Sequence, residues 1–242
     1  MIRFDIITIF PEILEPYTQE SIISRAIEKG AIEIKVHNLR NWATDKHKTI
    51  DDRVYGGGPG MLMKIEPLYQ AVTDIKSQMP EKYKNSTKVV LTSPSGTILT
   101  QNFAHSIASE QKDQAFILIC GHYEGVDYRI HEFVDMLFSV GPVILTGGEL
   151  PALLFIDVIT RLLPGVLGNE DSAKTETQFT LTNNTIKVSG EYPQYTRPEI
   201  FEYTNEKGET KQLKVPDILL SGDHKKIADY NNGNVGEHQQ EV

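Results

Sequence analysis

Three short glycine-bearing segments carry the residues best suited to chemistry: Ser93-Pro94-Ser95-Gly96, Cys120-Gly121-His122-Tyr123-Glu124-Gly125 and Thr146-Gly147-Gly148-Glu149. Each follows an apolar run with strand character, and in an open α/β sheet ligands gather in the crevice beyond the strand ends. Glycine there lets a backbone approach a ligand closely and leaves its amides free to bond it. Any one such turn alone is more readily an ordinary turn than a site. None has the Gly-x-Gly-x-x-Gly spacing of a dinucleotide fold. Gly56-Gly57-Gly58-Pro59-Gly60 lacks the Gly-Lys-Ser/Thr of a nucleotide-hydrolase phosphate loop, so NAD and ATP chemistry both lose ground.

Two further groupings bear charge. Asp51-Asp52-Arg53, ahead of the glycine run, reads equally as a solvated turn or as two carboxylates beside a guanidinium, Arg53, able to hold a phosphate bidentately. Asp157 and Arg161 are four residues apart on a helical pattern. Their plain reading is an i,i+4 ion pair worth roughly 0.2 to 0.5 kcal/mol. Arg161 also stands beside Pro164-Gly165, which ends the helix, a position that suits a residue meeting a substrate.

The elements that must position these groups alternate. Residues 2–9 read as a buried strand running into Phe10-Pro11-Glu12, and Ile32, Ile34 and Val36 as a second strand. From His37 to Met63 no helical period appears, so a long loop is expected. Helix is expected over 65–79 and 100–111, strand over 88–92, 115–120 and 143–145, and helix again over 149–163, with Pro151 tolerated in its first turn. Strand and helix in alternation predict an α/β domain: a parallel sheet with helices on both faces. After Pro164-Gly165 the chain turns polar. Residues 168–190 read as a flexible linker, and 191–242 hold only short helical candidates, near Pro216 and from Asp223, before a polar tail expected to fray.

Bulk properties narrow the class. A length of 242 residues, 39% hydrophobic and 24% charged, suits one large domain with a small one appended. Apolar stretches break well short of the roughly 20 residues a membrane span needs. The acidic Asp5 argues against a secretory leader, and a single cysteine, Cys120, excludes an intrachain disulfide and a thiolate zinc cluster; a cytoplasmic protein is expected. The net charge of −9 argues against a nonspecific coat for nucleic acid, though not against a local basic patch.

Taken together, the segments resemble the bacterial tRNA (guanine-37, N1) methyltransferase family. The resemblance rests on Ile7-Thr8-Ile9-Phe10-Pro11-Glu12, on Asp51-Asp52-Arg53-Val54-Tyr55-Gly56-Gly57-Gly58-Pro59-Gly60-Met61-Leu62-Met63, and on Leu118-Ile119-Cys120-Gly121-His122-Tyr123-Glu124-Gly125-Val126-Asp127. It continues through Leu145-Thr146-Gly147-Gly148-Glu149-Leu150-Pro151-Ala152, Leu163-Pro164-Gly165-Val166-Leu167-Gly168 and Pro193-Gln194-Tyr195-Thr196-Arg197-Pro198, in the same order over roughly residues 1 to 230. It implies a deep trefoil knot in a parallel-sheet α/β domain at 1–167, a flexible linker at 168–190, a small mainly helical tRNA-contacting domain at 191–242, and a homodimer with the active site at the subunit interface.

The resemblance also implies a bent S-adenosylmethionine held by Leu91, Thr92, Ser93, Pro94 and Gly96, by Gly121, Tyr123 and Gly125, and by Val140, Gly141, Val143, Ile144, Leu145, Gly147, Gly148 and Pro151. Glu124 would shape the site and its Mg²⁺ dependence, with the metal position unassigned, and Arg161 would hold substrate or donor. The family's catalytic aspartate falls at Glu176, a carboxylate able in kind to take the N1 proton of guanine. The chain departs from the family pattern at His122, where Arg is usual, at Tyr128, at Pro142-Val143 and at Thr175-Glu176-Thr177. Residues 191–242 carry six Lys or Arg against ten Asp or Glu, so a weak or differently organised grip on tRNA is expected. A dimeric donor-binding protein without methyl transfer, and a knotted scaffold without ligand, are the competing readings.

Overall fold

The computed structural model describes residues 1–110, 112–168, 178–182, 185–234 and 236–241, with 178–182, 185–191 and 236–241 described by backbone alone. The chain divides into two compact units, Met1–Ala173 and Lys174–Val242. Among the described residues no helix is long and apolar enough to cross a membrane.

In the first unit the strands are β1 (Ile2–Thr8), β2 (Ile32–Asn38), β3 (Asp51–Arg53), β4 (Met61–Met63), β5 (Thr87–Ile98), β6 (Gln114–Ile119) and β7 (Met136–Ser139). Its helices are α1 (Glu15–Thr18), α2 (Ser21–Glu28), α3 (Ile65–Ser77), α4 (Glu81–Lys84), α5 (Gln101–Ala108) and α6 (Glu149–Thr160). Five strands form one sheet in the order β2-β1-β6-β5-β7, every neighbouring pair parallel. All of β1 and β6 is buried, as a sheet covered on both faces requires. Phe4 and Ile6 of β1 pack in one core cluster with Ile23 of α2, Ala104 of α5 and Phe155 of α6; Ile7 joins the other cluster with Leu68 and Val72 of α3. The α/β expectation is met.

Several local expectations are corrected. The long loop after His37 contains a 3-10 turn at Leu39–Trp42 and the β3–β4 hairpin, paired Asp51 to Met63. The fifth strand is β7, not 143–145, because Val143 and Ile144 lie past Gly141 and Pro142 with exposed side chains and no strand partner. On α6, where apolar residues at 150, 153, 154, 158 and 162 predict one buried side, the buried residues include Ala152, Leu153, Phe155, Ile156 and Ile159, while Leu150 and Leu154 stay exposed.

The second unit holds the expected helices, α7 (Asp217–Leu220) and α8 (His224–Gly233). It also holds strands that the polar composition did not signal: β8 (Gln178–Thr182), β9 (Thr185–Glu191), β10 (Ile200–Thr204), β11 (Thr210–Lys214) and β12 (Gly236–Glu241). β8 and β9 pair within the segment expected as a linker, and β12 pairs with β9 where a frayed tail was expected.

Two features of the first unit carry structural weight. Asp5 is fully buried in β1, where Arg3 donates to it through Nε at 2.6 Å and Nη2 at 2.9 Å, and His37 Nε2 approaches at 2.7 Å. Burial alone would raise the Asp5 carboxyl, but the bonds and charges of His37 and Arg3 outweigh it and hold the group below its usual range. The second feature is a close crossing of backbones. Gly148 N donates to Gly121 O at 2.9 Å, and His122 and Gly147 form an isolated bridge. A Cβ on Gly148 would press against Thr92 Oγ1 and stand 2.6 Å from Cys120 Cα, a space only glycine can occupy. The strand β5 loops out between Thr92 and Thr97, both of which pair with Phe138, so the first turn is an excursion within one long strand.

Because the folded carboxyl of Asp5 is depressed, its contribution is present above the ordinary carboxylate pKa of about 4 and is lost as pH falls through the folded value. Denaturant titrations should therefore show stability declining below about pH 4, and Asp5→Asn should remove about 3 kcal/mol at neutral pH and flatten that acid limb; an unchanged midpoint would contradict the role. Gly148→Ala should force the two backbones apart at a cost of about 1 to 3 kcal/mol, read in the same titration.

Candidate functional site

A cleft of about 490 Å³ opens where β5, β6 and β7 end. That size lies within the usual range of roughly 300 to 1,000 Å³ for small-molecule sites. One wall is the β5 excursion with Leu91, Thr92, Ser93 and Pro94; the floor is Gly121 through Val126; the other wall is Val140, then Val143 through Gly148 and Pro151. Gly96 and Gly141 are not among the lining residues. Gly96 instead lies behind the wall, where a Cβ would come within 2.6 Å of the Phe138 backbone, and Gly141 turns the chain at φ +127°.

Glycines 96, 147 and 148 thus serve a purpose other than the one expected of them. What approaches their backbones is the protein's own chain, since added Cβ atoms would collide with Phe138, His122 and Thr92 respectively. The cleft that results is lined by these glycine turns together with apolar Leu91, Val140, Leu145 and Pro151. Tyr123 adds a sign of function: it is held at φ +61° while nearly half exposed at the cleft. A bulky residue in that left-handed region costs on the order of 1 to 3 kcal/mol, and such strain clusters at sites.

The charges are arranged around a buried carboxylate. Glu149, first residue of α6, is 3% exposed; it accepts from the Thr8 hydroxyl at 2.5 Å and pairs with His122 Nε2 at 2.8 Å. The edge of the Phe10 ring packs on His122, with centroids 5.0 Å apart. Cys120 sits beneath this pair, and burial followed by the Glu149 charge pushes its thiol well above the usual range, so it offers no thiolate for nucleophilic work. Glu124 folds over Gly60, and its amide donates to Met61 O at 3.1 Å, which ties the 54–60 loop to the cleft floor.

Other residues named from sequence fall elsewhere. Arg161 caps the C-terminal end of α6, its amide bonded to Asp157 O at 3.1 Å, about 18 Å along the helix from Glu149 at the cleft. Asp157 faces Tyr17, whose phenol is raised by burial and then by that carboxylate. Glu176 lies outside the described residues. Among the described residues no three His, Cys, Asp or Glu side chains gather as a metal site. In the second unit Arg197, from the matched Tyr195-Thr196-Arg197 run, lines a hollow of about 340 Å³ with Leu219 and Leu220.

Sequence reasoning named Tyr128 only as a departure from the family pattern and missed His131, Phe138 and Ser139, all of them lining residues. The first two come from the 3-10 turn Tyr128–Phe133, where residues three apart eclipse; their rings lie 4.3 Å apart. That three-residue spacing was the available signal, hidden in a segment without glycine.

Comparison with known proteins places this geometry. The family model described as tRNA (Guanine-1)-methyltransferase TrmD matches residues 2–241. A tRNA (guanine-N(1)-)-methyltransferase of Dictyoglomus turgidum is 45% identical over 228 residues, covering 94% of this chain and 82% of that protein. Its counterpart in Clostridioides difficile is 42% identical over 232 residues, covering 94% and 90%. Among solved structures, the tRNA (m1G37) methyltransferase from Aquifex aeolicus superposes with a TM-score of 0.71 at 35% identity, covering 95% of this chain and 87% of that one. With a match that runs from the first strand to the last, the chain belongs to the tRNA (guanine-N1) methyltransferase family.

Proposed function

We propose that this protein transfers a methyl group from S-adenosylmethionine to N1 of guanine-37 in tRNA, beside the anticodon. The observation that carries the reading is the glycine-rich cleft at the β5 excursion and beyond β6 and β7, joined to a family match over nearly the whole chain. The cleft fits the donor: it has the volume for a nucleoside-sized ligand, apolar walls for a ring system, and a buried carboxylate close behind Gly147 that complements a cation. When bound there, the donor supplies an electrophilic methyl group on a sulfonium.

The remaining work falls to the chain's own residues. Backbone at Leu91, Gly121, Leu145 and Gly147 would hold the donor, and Tyr123 would close over it. Glu176 takes the N1 proton as general base, which requires its carboxylate within about 2.6 to 3.2 Å of that nitrogen. Glu124 is the cleft carboxylate suited to magnesium, since Mg²⁺ sites commonly use one or two carboxylates and complete their shell from water and substrate oxygens. The close backbone crossings at Gly96 and Gly148 support a deep trefoil knot in this domain.

We read the active unit as a homodimer in the cytoplasm. Leu150, Leu154 and Asp157 follow one another along α6, Asp157 bonds Tyr17, and Ile13 and Tyr17 are each 47% exposed, so an apolar strip stands ready for a second copy. A dimer also accounts for Arg161, which lies a helix length from its own cleft and would serve a site completed across the interface. Residues 191–242 act as the tRNA-contacting domain, linked through 168–190.

The test is methyl transfer to unmodified tRNA carrying guanine at position 37, with the product base mapped by mass spectrometry. N1-methylguanine at that position is expected; donor binding without transfer to any cognate tRNA would favour the non-catalytic dimer. Glu176→Gln should lower kcat by about 100-fold or more at unchanged donor affinity. Unchanged turnover would remove Glu176 as the base.

A further inference from the structure

One edge of the cleft has no task in the donor reading. Tyr128 and His131 line it from the 3-10 turn Tyr128–Phe133, apart from the three glycine turns. Tyr128 is 79% exposed, well above Tyr123 at 46%, and Phe138, the other large aromatic of the lining, is buried. The half-buried His131 covers one side of the phenol ring, with centroids 4.3 Å apart and planes tilted by 32°. The rest of that ring is open to solvent.

A lone exposed tyrosine is ordinary on a protein surface. This one stands on a turn fixed from several sides, so its exposure comes from placement and not from a loose chain. Asp127 accepts the Arg129 amide at 3.0 Å and holds its guanidinium through Nε at 2.9 Å and Nη2 at 2.6 Å, while its own amide donates to Met63 O at 2.9 Å. Ile130 is fully buried, and Phe133 packs on Tyr69 of α3 with ring centroids 4.7 Å apart. Residues three apart eclipse in a 3-10 turn, which sets the imidazole of His131 against the phenol of Tyr128. A flat aromatic surface is thereby held ready at the mouth of the cleft.

N1 lies on the edge of guanine, so the base must enter edge first, with its faces available for stacking. A base that leaves its neighbours in a strand loses their stacking, and enzymes that act on extruded bases restore it with aromatic or apolar side chains. The glycine turns offer no ring for this. Tyr123 closes over the donor in the reading above, which leaves the Tyr128–His131 pair for the acceptor.

We propose that Tyr128, backed by His131, is the stacking platform for the acceptor purine: it receives one face of the guanine as that base leaves its neighbours, and so sets how tightly the RNA is held without touching the donor. The proposal rests on the methyl-transfer reading given above. Stacking asks for a flat π surface and makes no use of the phenol hydroxyl, which fixes the substitutions that test it.

Steady-state methyl transfer by the full-length protein to unmodified tRNA bearing guanine at position 37, with calorimetric binding of S-adenosylmethionine beside it, is the experiment. Tyr128→Ala should raise the KM for tRNA about tenfold to 100-fold at nearly unchanged kcat, with the donor Kd within about twofold of the wild type. Tyr128→Phe and Tyr128→Trp keep a ring and should stay within about threefold of the wild type, whereas Tyr128→Leu, apolar without a π face, should fall with alanine. A wild-type KM in Tyr128→Ala, a leucine variant that matches phenylalanine, or a loss confined to kcat would overturn the proposal. So would a donor Kd weakened as much as the tRNA KM, which would give the ring to the donor, or a changed oligomeric state in Tyr128→Ala, which would give it to a subunit contact. Failure of the wild type itself to methylate any cognate tRNA would overturn the methyl-transfer reading beneath it.

Discussion

Contact between backbones from three separate strand ends is the constraint on which the rest of this structure depends. Gly148 bonds Gly121 and has no room for a side chain against Thr92 and Cys120, and Gly96 lies equally close to Phe138. Turns brought this near leave no room for a side chain at Gly96, Gly147 or Gly148. The turns are held by the strands of the sheet below and by one another, through the Gly148 amide on Gly121 O and the bridge between His122 and Gly147.

Much of this was legible in the residues. The alternation of strand and helix signals marked the α/β sheet, and the three glycine turns marked an excursion inside β5, the end of β6 and the entry to α6, which is why nearly every residue expected at the cleft lies there. The purpose of the glycines was not legible. Glycine is compatible with an approaching ligand and with an approaching chain alike, and only the crossing geometry tells the two apart. Val143 to Leu145 misled for a related reason: a short apolar run says that water is unwelcome, yet here the side chains face a cleft and an exposed surface, with no neighbouring strand. In the second unit, β8 and β9 do alternate apolar with polar residues, Phe179 and Leu181 and then Ile186 and Val188, a short two-residue period masked by the polar composition around it.

The sequence also held charges whose meaning depended on burial. Asp5 looked like evidence against a leader and is in the fold a fully buried anion tied to Arg3 and His37 on the sheet face shared with α3. Glu149 looked like the first residue of a helix and is a second buried anion, at the opposite functional end of β1 beside Thr8. The first has a permanent cation and stabilises the fold; the second has an imidazole and a hydroxyl, and borders the cleft. The two anions differ in partners and in distance from the cleft, and neither spacing nor composition reveals it.

The most direct measurement is a crystal structure of the protein grown with S-adenosylmethionine. The account predicts the donor enclosed by the turns that follow β5, β6 and β7, with its adenosyl and methionyl parts against backbone from all three and its sulfonium on the side of Gly147. A donor bound elsewhere, or turns that lie apart with no ligand between them in the presence of saturating donor, would contradict it.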